Sequence, residues 1–226
     1  MLLDAKVVLI TGATGGLGHA VTPAFLNTGA RVITVGRHAG SRPAENQRAF
    51  AADVTDEAGV RRVVADVIRE AGRIDALVNL VGGFAIGRLT ETDTSLWQKM
   101  LSLNVTSAFF LSKAVLPHMM ERRSGRILHI AARAALDPFA GAAAYLVSKS
   151  ALVALIRVLA VETTGSGVTV NGILPTTIDT AANRKSMPDA DPSKWVKPES
   201  IAQLLIYLAS DEASTINGAL IPIGNR

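Results

Sequence analysis

The sequence predicts a doubly wound α/β fold, in which one parallel sheet carries helices on both faces and residues 1–226 form a single domain. Short apolar runs alternate along the chain with stretches of helical length. The apolar runs are continuous, as expected of strands that are buried on both faces. The chain has 226 residues, 49% of them hydrophobic, which suits one well-buried domain.

The predicted elements follow one another in order. The first strand spans residues 7–10 and stops before Gly12. Further strands are predicted at 32–35, 50–52, 76–80, 126–130, 169–173 and 219–223, and helices at 20–28, 57–71, 95–120, 144–164 and 199–210. Pro117 is expected to bend or end the helix at 95–120, because proline lacks an amide hydrogen. Residues 175–198 hold four prolines and many polar side chains, which predicts a mobile substrate loop.

Composition excludes several classes of protein. The chain has no cysteine, and its four histidines lack the spacing of metal ligands, so we expect a metal-independent, cytoplasmic protein. No apolar run approaches the roughly 20 residues of a membrane span, and the N-terminus resembles no targeting segment. The net charge of +4 comes from dispersed basic residues, which argues against a nucleic-acid partner.

A glycine-rich turn joins the first strand to the first helix. Its glycines permit a tight turn and let backbone N–H groups approach a pyrophosphate, which the helix dipole also favours. Glycines serve ordinary strand-to-helix turns as well, but the position at the end of the first strand favours a dinucleotide site. The predicted cofactor-binding residues here are Gly12, Thr14, Gly15, Gly16, Leu17 and Gly18.

The ends of the next two predicted strands are expected to contact the adenosine half of a dinucleotide. Gly36 and Arg37 stand where an acidic residue would bind the ribose 2′-hydroxyl of NAD. Arg37 either pairs with a 2′-phosphate or is a solvated loop residue, so NADP(H) is favoured and NAD(H) is possible. Asp53, followed by Val54, either accepts from the adenine amino group or caps the helix after Thr55.

Tyr145 and Lys149 stand four residues apart near the start of a predicted helix, so their side chains share one face. The ammonium group is then expected to lower the pKa of the phenol and make Tyr145 a proton donor near neutral pH. At this spacing a Tyr and a Lys are usually only a surface pair. Together with the glycine-rich turn, they predict an oxidoreductase.

Five motifs occur in one order along the chain. They are TGATGGLG at 11–18, NLVG at 79–82, Asn104, YLVSK at 145–149, and Pro175 through Thr180. The whole chain thereby resembles the short-chain dehydrogenase/reductase family. The resemblance implies a Rossmann-type sheet of seven parallel strands and hydride transfer from a nicotinamide to a small carbonyl or imine substrate. It also implies homodimers or homotetramers, which suits the strongly apolar helices at 95–120 and 144–164.

The same resemblance implies roles for individual residues. Tyr145 would be the acid/base, Lys149 would hold the ribose hydroxyls, and Asn104 would maintain a water relay to Lys149. Ile178 and Thr180 would contact the carboxamide. Further cofactor contacts are implied for Asn79, Val81, Gly82 and Pro175, although Leu80 and Val81 replace the usual Asn-Ala and Thr176 replaces the usual glycine.

One position departs from the family in a way that bears on the chemistry. Thirteen residues before Tyr145, where the family normally has a serine that polarises the substrate carbonyl, this chain has Ala132, which cannot donate a hydrogen bond. Losing such a donor ordinarily lowers the rate by about two to three orders of magnitude. The chain is then a catalytically silent NAD(P)-sensing module, uses another donor, or reduces a substrate that needs no serine.

The last alternative is supported by a resemblance to the dihydropteridine reductases, a branch that lacks this serine. The matching segments are ARAALD at 132–137, VGGF at 81–84, and IDT at 178–180 followed by NRKSMPDAD at 183–191 and Trp195. That branch prefers NADH through an acidic residue, and Arg37 argues against it. The candidate substrate-binding residues, which are equally plausible as loop packing in several cases, are Phe84, Ala132, Arg133, Met187 and Trp195.

Overall fold

Seven strands form one sheet in the computed structural model, which describes residues 2–38 and 45–224. The strands are β1 (Val7–Thr11), β2 (Arg31–Gly36), β3 (Gln47–Ala51), β4 (Ala76–Asn79), β5 (Gly125–Ile130), β6 (Val168–Pro175) and β7 (Leu220–Ile223). Their order is β3-β2-β1-β4-β5-β6-β7, and every neighbouring pair is parallel. The predicted Rossmann-type sheet of seven parallel strands is confirmed.

Helices cover both faces of the sheet. They are α1 (Gly18–Leu26), α2 (Glu57–Ala71), α3 (Thr94–Leu101), α4 (Ser107–Glu121), α5 (Ala143–Glu162), α6 (Ala181–Ser186) and α7 (Pro198–Ala209). Helices α2, α4 and α5 pack on one face, and α1 and α7 pack on the other. Strand β1 explains the continuous apolar runs, because Val7 and Leu9 enter the first core while Val8 and Ile10 enter the second.

Helix α2 begins after Asp56, which corrects the alternative that Asp53 caps this helix. The Asp56 carboxylate caps the helix by accepting from the N–H groups of Ala58 and Gly59. Asp53 instead accepts from the backbone N–H and the hydroxyl of Thr55, at 2.9 and 2.7 Å. The expectation that Asp53 caps this helix is therefore wrong.

The helix predicted at 95–120 is interrupted before Pro117 rather than at it. Between α3 and α4 lies one π-helical turn, Ser102–Thr106, and α4 continues through Pro117 to Glu121. Pro117 therefore does not end the helix. A π-turn is a local widening that often occurs at functional sites, and this one contains Asn104.

Two stretches of helix, Thr94–Glu121 and Ala143–Glu162, are long and apolar enough to cross a membrane by length and composition. This corrects the expectation that no segment of the chain meets that criterion. In the fold both stretches pack on the sheet through α4 and α5. Core helices of soluble proteins pass the same criterion, so these two are weak indications of a membrane span.

Candidate active site

The site is built at the carboxyl ends of the strands, between β1 and β4, where the strand order of the sheet reverses. Gly12 follows β1 with a φ of +73°, and Leu80 and Val81 follow β4. A Cβ atom on Gly12 would lie 3.1 Å from both the Leu80 carbonyl carbon and the Val81 nitrogen. Glycine is thus required twice, for the left-handed backbone and for the close approach. Such a switch point is the usual ligand crevice of open α/β sheets.

The glycine-rich turn leaves backbone donors free at the start of α1. Helix α1 has no side-chain cap, and the N–H groups of Thr14, Gly16 and Leu17 donate no hydrogen bond within residues 2–38 and 45–224. A Cβ on Gly18 would overlap the backbone of Ala13, so only glycine lets the helix start this close to the turn. Free N–H groups at a helix start fit a phosphate group.

The turn also touches the segment that follows β6. A Cβ on Gly16 would lie 2.9 Å from the Cβ of Thr180. Thr180 is at the same time the N-cap of α6, accepting from the N–H of Asn183 at 3.2 Å. In this segment Pro175 ends β6 and Ile178 forms an isolated parallel bridge with Val196. The structure therefore brings the predicted nucleotide loop and the predicted substrate segment together.

The adenosine edge lies beside the turn, at the ends of β2 and β3. A Cβ on Gly36 would be 4.0 Å from the Thr14 hydroxyl, and the next residue, Arg37, is exposed. The two hydrogen bonds from Thr55 hold the pKa of the Asp53 carboxyl below its usual range, and the charge of Arg37 adds to this. Val54 is buried in the core, so its side chain is not available to a ligand.

Asn79 ends β4 and fixes the backbone beyond it. Its Oδ1 accepts from the Thr11 hydroxyl at 2.7 Å and from the Val81 N–H at 3.1 Å. Its Nδ2 lies 3.3 Å from Nδ1 of His129, and Nε2 of His129 lies 3.1 Å from the Ser112 hydroxyl. All of these side chains are buried. Thr11, Asn79, His129 and Ser112 therefore form a chain of polar side chains inside the core, directly below the cleft.

Asn104 is held by its side chain in the π-turn. Its Oδ1 accepts from the Gly83 N–H at 2.9 Å, and its Nδ2 donates to the Gly83 carbonyl at 3.0 Å and to the Ser148 hydroxyl at 2.9 Å. Ser148 in turn donates to the carbonyl of Tyr145 at 2.7 Å. The Asn104 amide therefore connects the loop that follows β4, at Gly83, to the first turns of α5, at Ser148.

Lys149 reaches the same place from α5. A Cβ on Gly82 would lie 2.8 Å from Oδ1 of Asn104 and 3.2 Å from Nζ of Lys149, so only glycine fits between them. Nζ of Lys149 donates to the carbonyl of Ile130, the last residue of β5, at 2.7 Å. Burial lowers the pKa of the ammonium to about 8.

Tyr145 lies one turn before Lys149, with its ring against Phe84. The ring centroids are 4.8 Å apart in an edge-on arrangement, and Phe84 is itself 58% exposed. Burial raises the pKa of the Tyr145 phenol to about 12. Desolvation of the phenol causes this rise, so the lowering of the pKa expected from Lys149 is not seen.

The end of β5 lacks a side-chain donor. Ala132 is buried, and the next residues, Arg133–Ala135, form one 3₁₀ turn. Nε of Arg133 donates to Asp137 at 2.6 Å, which draws part of the guanidinium toward the exposed carboxylate. Met187 is partly exposed after α6, and Trp195 is half-buried. Within the described residues the structure joins Phe84 to Tyr145, whereas no ring contact joins Trp195 to either.

A comparison of the sequence with known families decides its classification. Residues 6–191, well over half of the chain, match the short chain dehydrogenase family. The chain belongs to the short chain dehydrogenase family. Together with the dehydrogenases and reductases named below, this makes it an NAD(P)-dependent oxidoreductase.

Relatives in this family match the chain almost end to end. The D-threitol dehydrogenase of Mycolicibacterium smegmatis is 36% identical, over 96% of this chain and 90% of the relative. The meso-2,3-butanediol dehydrogenase of Serratia marcescens is 34% identical, over 99% and 94%. The solved structure of ElxO with NADP bound superposes with a TM-score of 0.92 and 29% identity, over 97% of both chains.

Two residues of this dehydrogenase site escaped prediction from the sequence. Ser148 lies inside the YLVSK motif, but the motif does not indicate that its hydroxyl accepts a hydrogen bond from Nδ2 of Asn104. His129 gave a usable signal, because it is the one strongly polar residue in the apolar run 127–130. A buried polar side chain requires hydrogen-bond partners, and these proved to be Asn79 and Ser112. Among the described residues no cluster of His, Asp or Glu could hold a metal ion.

Proposed function

We propose that this protein is a cytoplasmic NADPH-dependent reductase of a small carbonyl or imine compound, with Tyr145 as the proton donor. The observation that carries the proposal is the contact of Gly82 with both Asn104 and Lys149 at the switch point of the sheet. The buried ammonium of Lys149 and the π-turn amide of Asn104 thus both lie beside the loop that follows β4, one helical turn from Tyr145. A structural role explains no part of this arrangement.

The nucleotide would bind across the carboxyl ends of β1 and β4. The free N–H groups of Thr14, Gly16 and Leu17 would hold the diphosphate, and the exposed Arg37 would pair with a 2′-phosphate. Asp53 would accept from the adenine amino group. The backbone at Val81 and Gly82, together with Pro175, Ile178 and Thr180, would border the nicotinamide. The NADP reported in the ElxO structure supports this choice of cofactor.

The nicotinamide, when bound, supplies the hydride. Tyr145 would donate the phenolic proton to the substrate oxygen or nitrogen, and the Lys149 ammonium would offset the negative charge of the phenolate that remains. The exposed ring of Phe84, edge-on to Tyr145, would guide a flat or apolar substrate toward the phenol. Asn104 would keep the strand β4 loop and the start of α5 in register with each other.

Ala132 favours a substrate that accepts hydride without a hydroxyl donor. An electron-poor imine meets this requirement, because it is already polarised toward addition of hydride. A quinonoid dihydropterin is one such compound, and the matching segments at 132–137 and 178–195 support it. Arg37 argues against the NADH preference of the dihydropteridine reductases, so the pterin is a candidate within the broader class.

Ala132 also motivates a second candidate function, a silent NAD(P)-sensing module that binds nucleotide without turnover. The intact arrangement of Asn104, Tyr145 and Lys149 argues against it, because sensing alone requires no proton donor. In either case we propose a homodimer or homotetramer. Exposed apolar side chains on α4 and α5 offer a surface for a second copy, namely Phe109, Val147, Val158 and Val161.

The deciding experiment follows the loss of absorbance of NADPH and NADH with purified protein. The substrates are a quinonoid dihydropterin and a panel of ketones and quinones, and Tyr145→Phe serves as the control. We expect turnover by the wild type and a loss of at least about a hundredfold in the variant. Tight nucleotide binding with no turnover of any substrate would instead favour the sensor.

A further inference from the structure

We infer that His129 is a positioning residue for the nucleotide, acting through Asn79 on the backbone that follows β4. The inference rests on the proposed nucleotide site and concerns a residue with no part in the proton transfer proposed above. His129 is fully buried in the middle of the sheet, between Asn79 on the neighbouring strand and Ser112 on α4. Its ring therefore bridges the strand β4 end to a helix on one face of the sheet.

The hydrogen bonds determine the orientation of the Asn79 amide and the tautomer of His129. A backbone N–H can only donate, so the atom of Asn79 that faces Val81 is the oxygen. The amide nitrogen of Asn79 then faces Nδ1 of His129, which must accept. The ring proton consequently lies on Nε2 and is donated to the Ser112 hydroxyl. Burial keeps the ring neutral by lowering its pKa to about 3.

His129 thereby stabilises the amide of Asn79 in the orientation that the Val81 N–H requires. In the flipped orientation the NH₂ group of Asn79 would face the Val81 N–H, and its oxygen would face the lone pair of Nδ1. The first contact would be repulsive, and the second would be acceptable only if the ring proton moved to Nδ1 and Ser112 donated to Nε2. Without an acceptor at Nδ1, the NH₂ group would be buried without a partner, and the two orientations would differ less in free energy. The Val81 N–H selects the orientation, and His129 supplies the partner that the NH₂ group needs in it.

The orientation matters because Val81 lies against the nucleotide loop. The Val81 nitrogen and the Leu80 carbonyl carbon are the atoms nearest to a Cβ on Gly12, at 3.1 Å. The Leu80 N–H also donates to the carbonyl of Thr11 at 3.1 Å. A shift of this backbone would change the width of the crevice between β1 and β4, where we place the nucleotide.

The test compares His129→Leu, which removes both ring nitrogens, with His129→Asn, whose side-chain oxygen can replace Nδ1 but does not reach Ser112. Ser112→Ala is the matched control, since it breaks only the far end of the chain. The dissociation constant for NADPH is measured by fluorescence titration, and the melting temperature is recorded for each variant. We expect about tenfold weaker binding for His129→Leu and recovery to within about threefold for His129→Asn. Ser112→Ala lowers the melting temperature and leaves the dissociation constant unchanged.

Two outcomes would overturn the inference while leaving the proposed function intact. One is wild-type affinity in His129→Leu, and the other is equal weakening in His129→Asn and His129→Leu. A wild type that binds neither NADPH nor NADH would overturn the proposed function and this inference with it. Nitrogen NMR of the wild type gives a check that needs no variant, because a ring proton on Nδ1 of His129 would contradict the assigned tautomer.

Discussion

Nζ of Lys149 donates a hydrogen bond of 2.7 Å to the carbonyl oxygen of Ile130. This bond joins α5, which carries Tyr145, to the end of β5, where Ala132 replaces the expected serine. The ammonium is buried, and its pKa falls to about 8 as a result. The charge state of Lys149 thus changes within the range in which the enzyme is assayed.

Nucleotide binding is expected to weaken as the pH rises through about 8. The Lys149 ammonium is the form that donates to ribose hydroxyls and attracts phosphate, and above this pKa it is lost. The dissociation constant for NADPH should rise by up to about tenfold for each further pH unit. Lys149→Met should bind weakly and without this dependence. If the dissociation constant of Lys149→Met for NADPH also rose above pH 8, another group would be responsible for the pH dependence.

Gly82→Ala is expected to lower kcat by about a hundredfold, because the new methyl group would displace Asn104 and Lys149. Gly72→Ala is the matched control. Gly72 has a φ of +77° at the end of α2 and nothing within 4 Å of its Cβ position, so that change strains the backbone away from the site. It should lower the melting temperature and preserve kcat. Equal effects on kcat would contradict the role of Gly82.

Ala132→Ser is expected to raise the rate of ketone reduction by about tenfold or more, because it supplies a hydroxyl donor at the end of β5. Reduction of an electron-poor imine should change by less than about threefold. Ala131→Ser adds a hydroxyl at the preceding residue, which is also buried, and serves as the control. Initial rates on both substrate types decide the matter, and an equal gain on both would argue against a serine-independent substrate.

Arg37→Gln is expected to weaken binding of NADPH by about tenfold to a hundredfold and to leave binding of NADH almost unchanged, since only NADPH carries the 2′-phosphate. Titration of both nucleotides gives the ratio. His38→Gln, at the next exposed position, is the control and should change the ratio little. An unchanged ratio in Arg37→Gln would mean that Arg37 is a solvated loop residue.

His129 is expected to make the fold less stable in acid. Its pKa is about 3 in the folded protein and 6.5 ordinarily, so between these values the unfolded chain binds the extra proton. The free energy of unfolding should therefore decrease as the pH falls below about 6.5, by up to about 1 kcal/mol for each unit from this group. Urea unfolding of His129→Asn should show a smaller decrease. Lys149, whose charge also opposes protonation of the ring, is unchanged in that comparison.

The sequence predicted the strand and helix order well, because continuous apolar runs and glycine turns report local preferences directly. The sheet, the glycine-rich turn and the Tyr145 and Lys149 pair on one helix all followed from such patterns. The π-turn at Asn104 did not, since it lies where α3 and the turn itself pack against α5, which local patterns do not report. The direction of the pKa shift of Tyr145 was also missed, because it follows from burial of the phenol, which the spacing to Lys149 does not report.

The polar chain below the cleft was equally inaccessible from the sequence. Asn79 and His129 are fifty residues apart, and only the β4–β5 register brings them opposite each other. Spacing along one helix can be read from the sequence, but partners on different strands cannot. Contacts made across the sheet therefore had to come from the structure.

The contact between Gly16 and Thr180 constrains how the substrate range of this protein can diverge. Thr180 touches the nucleotide turn through its Cβ and caps α6 through its hydroxyl. Residues after this cap can vary in length and chemistry without disturbing Gly16, whereas a bulkier residue at 180 would push against the turn. We therefore expect changes of substrate range to come from residues 181–195 and Thr180 to keep its size, because it borders both the nucleotide turn and α6.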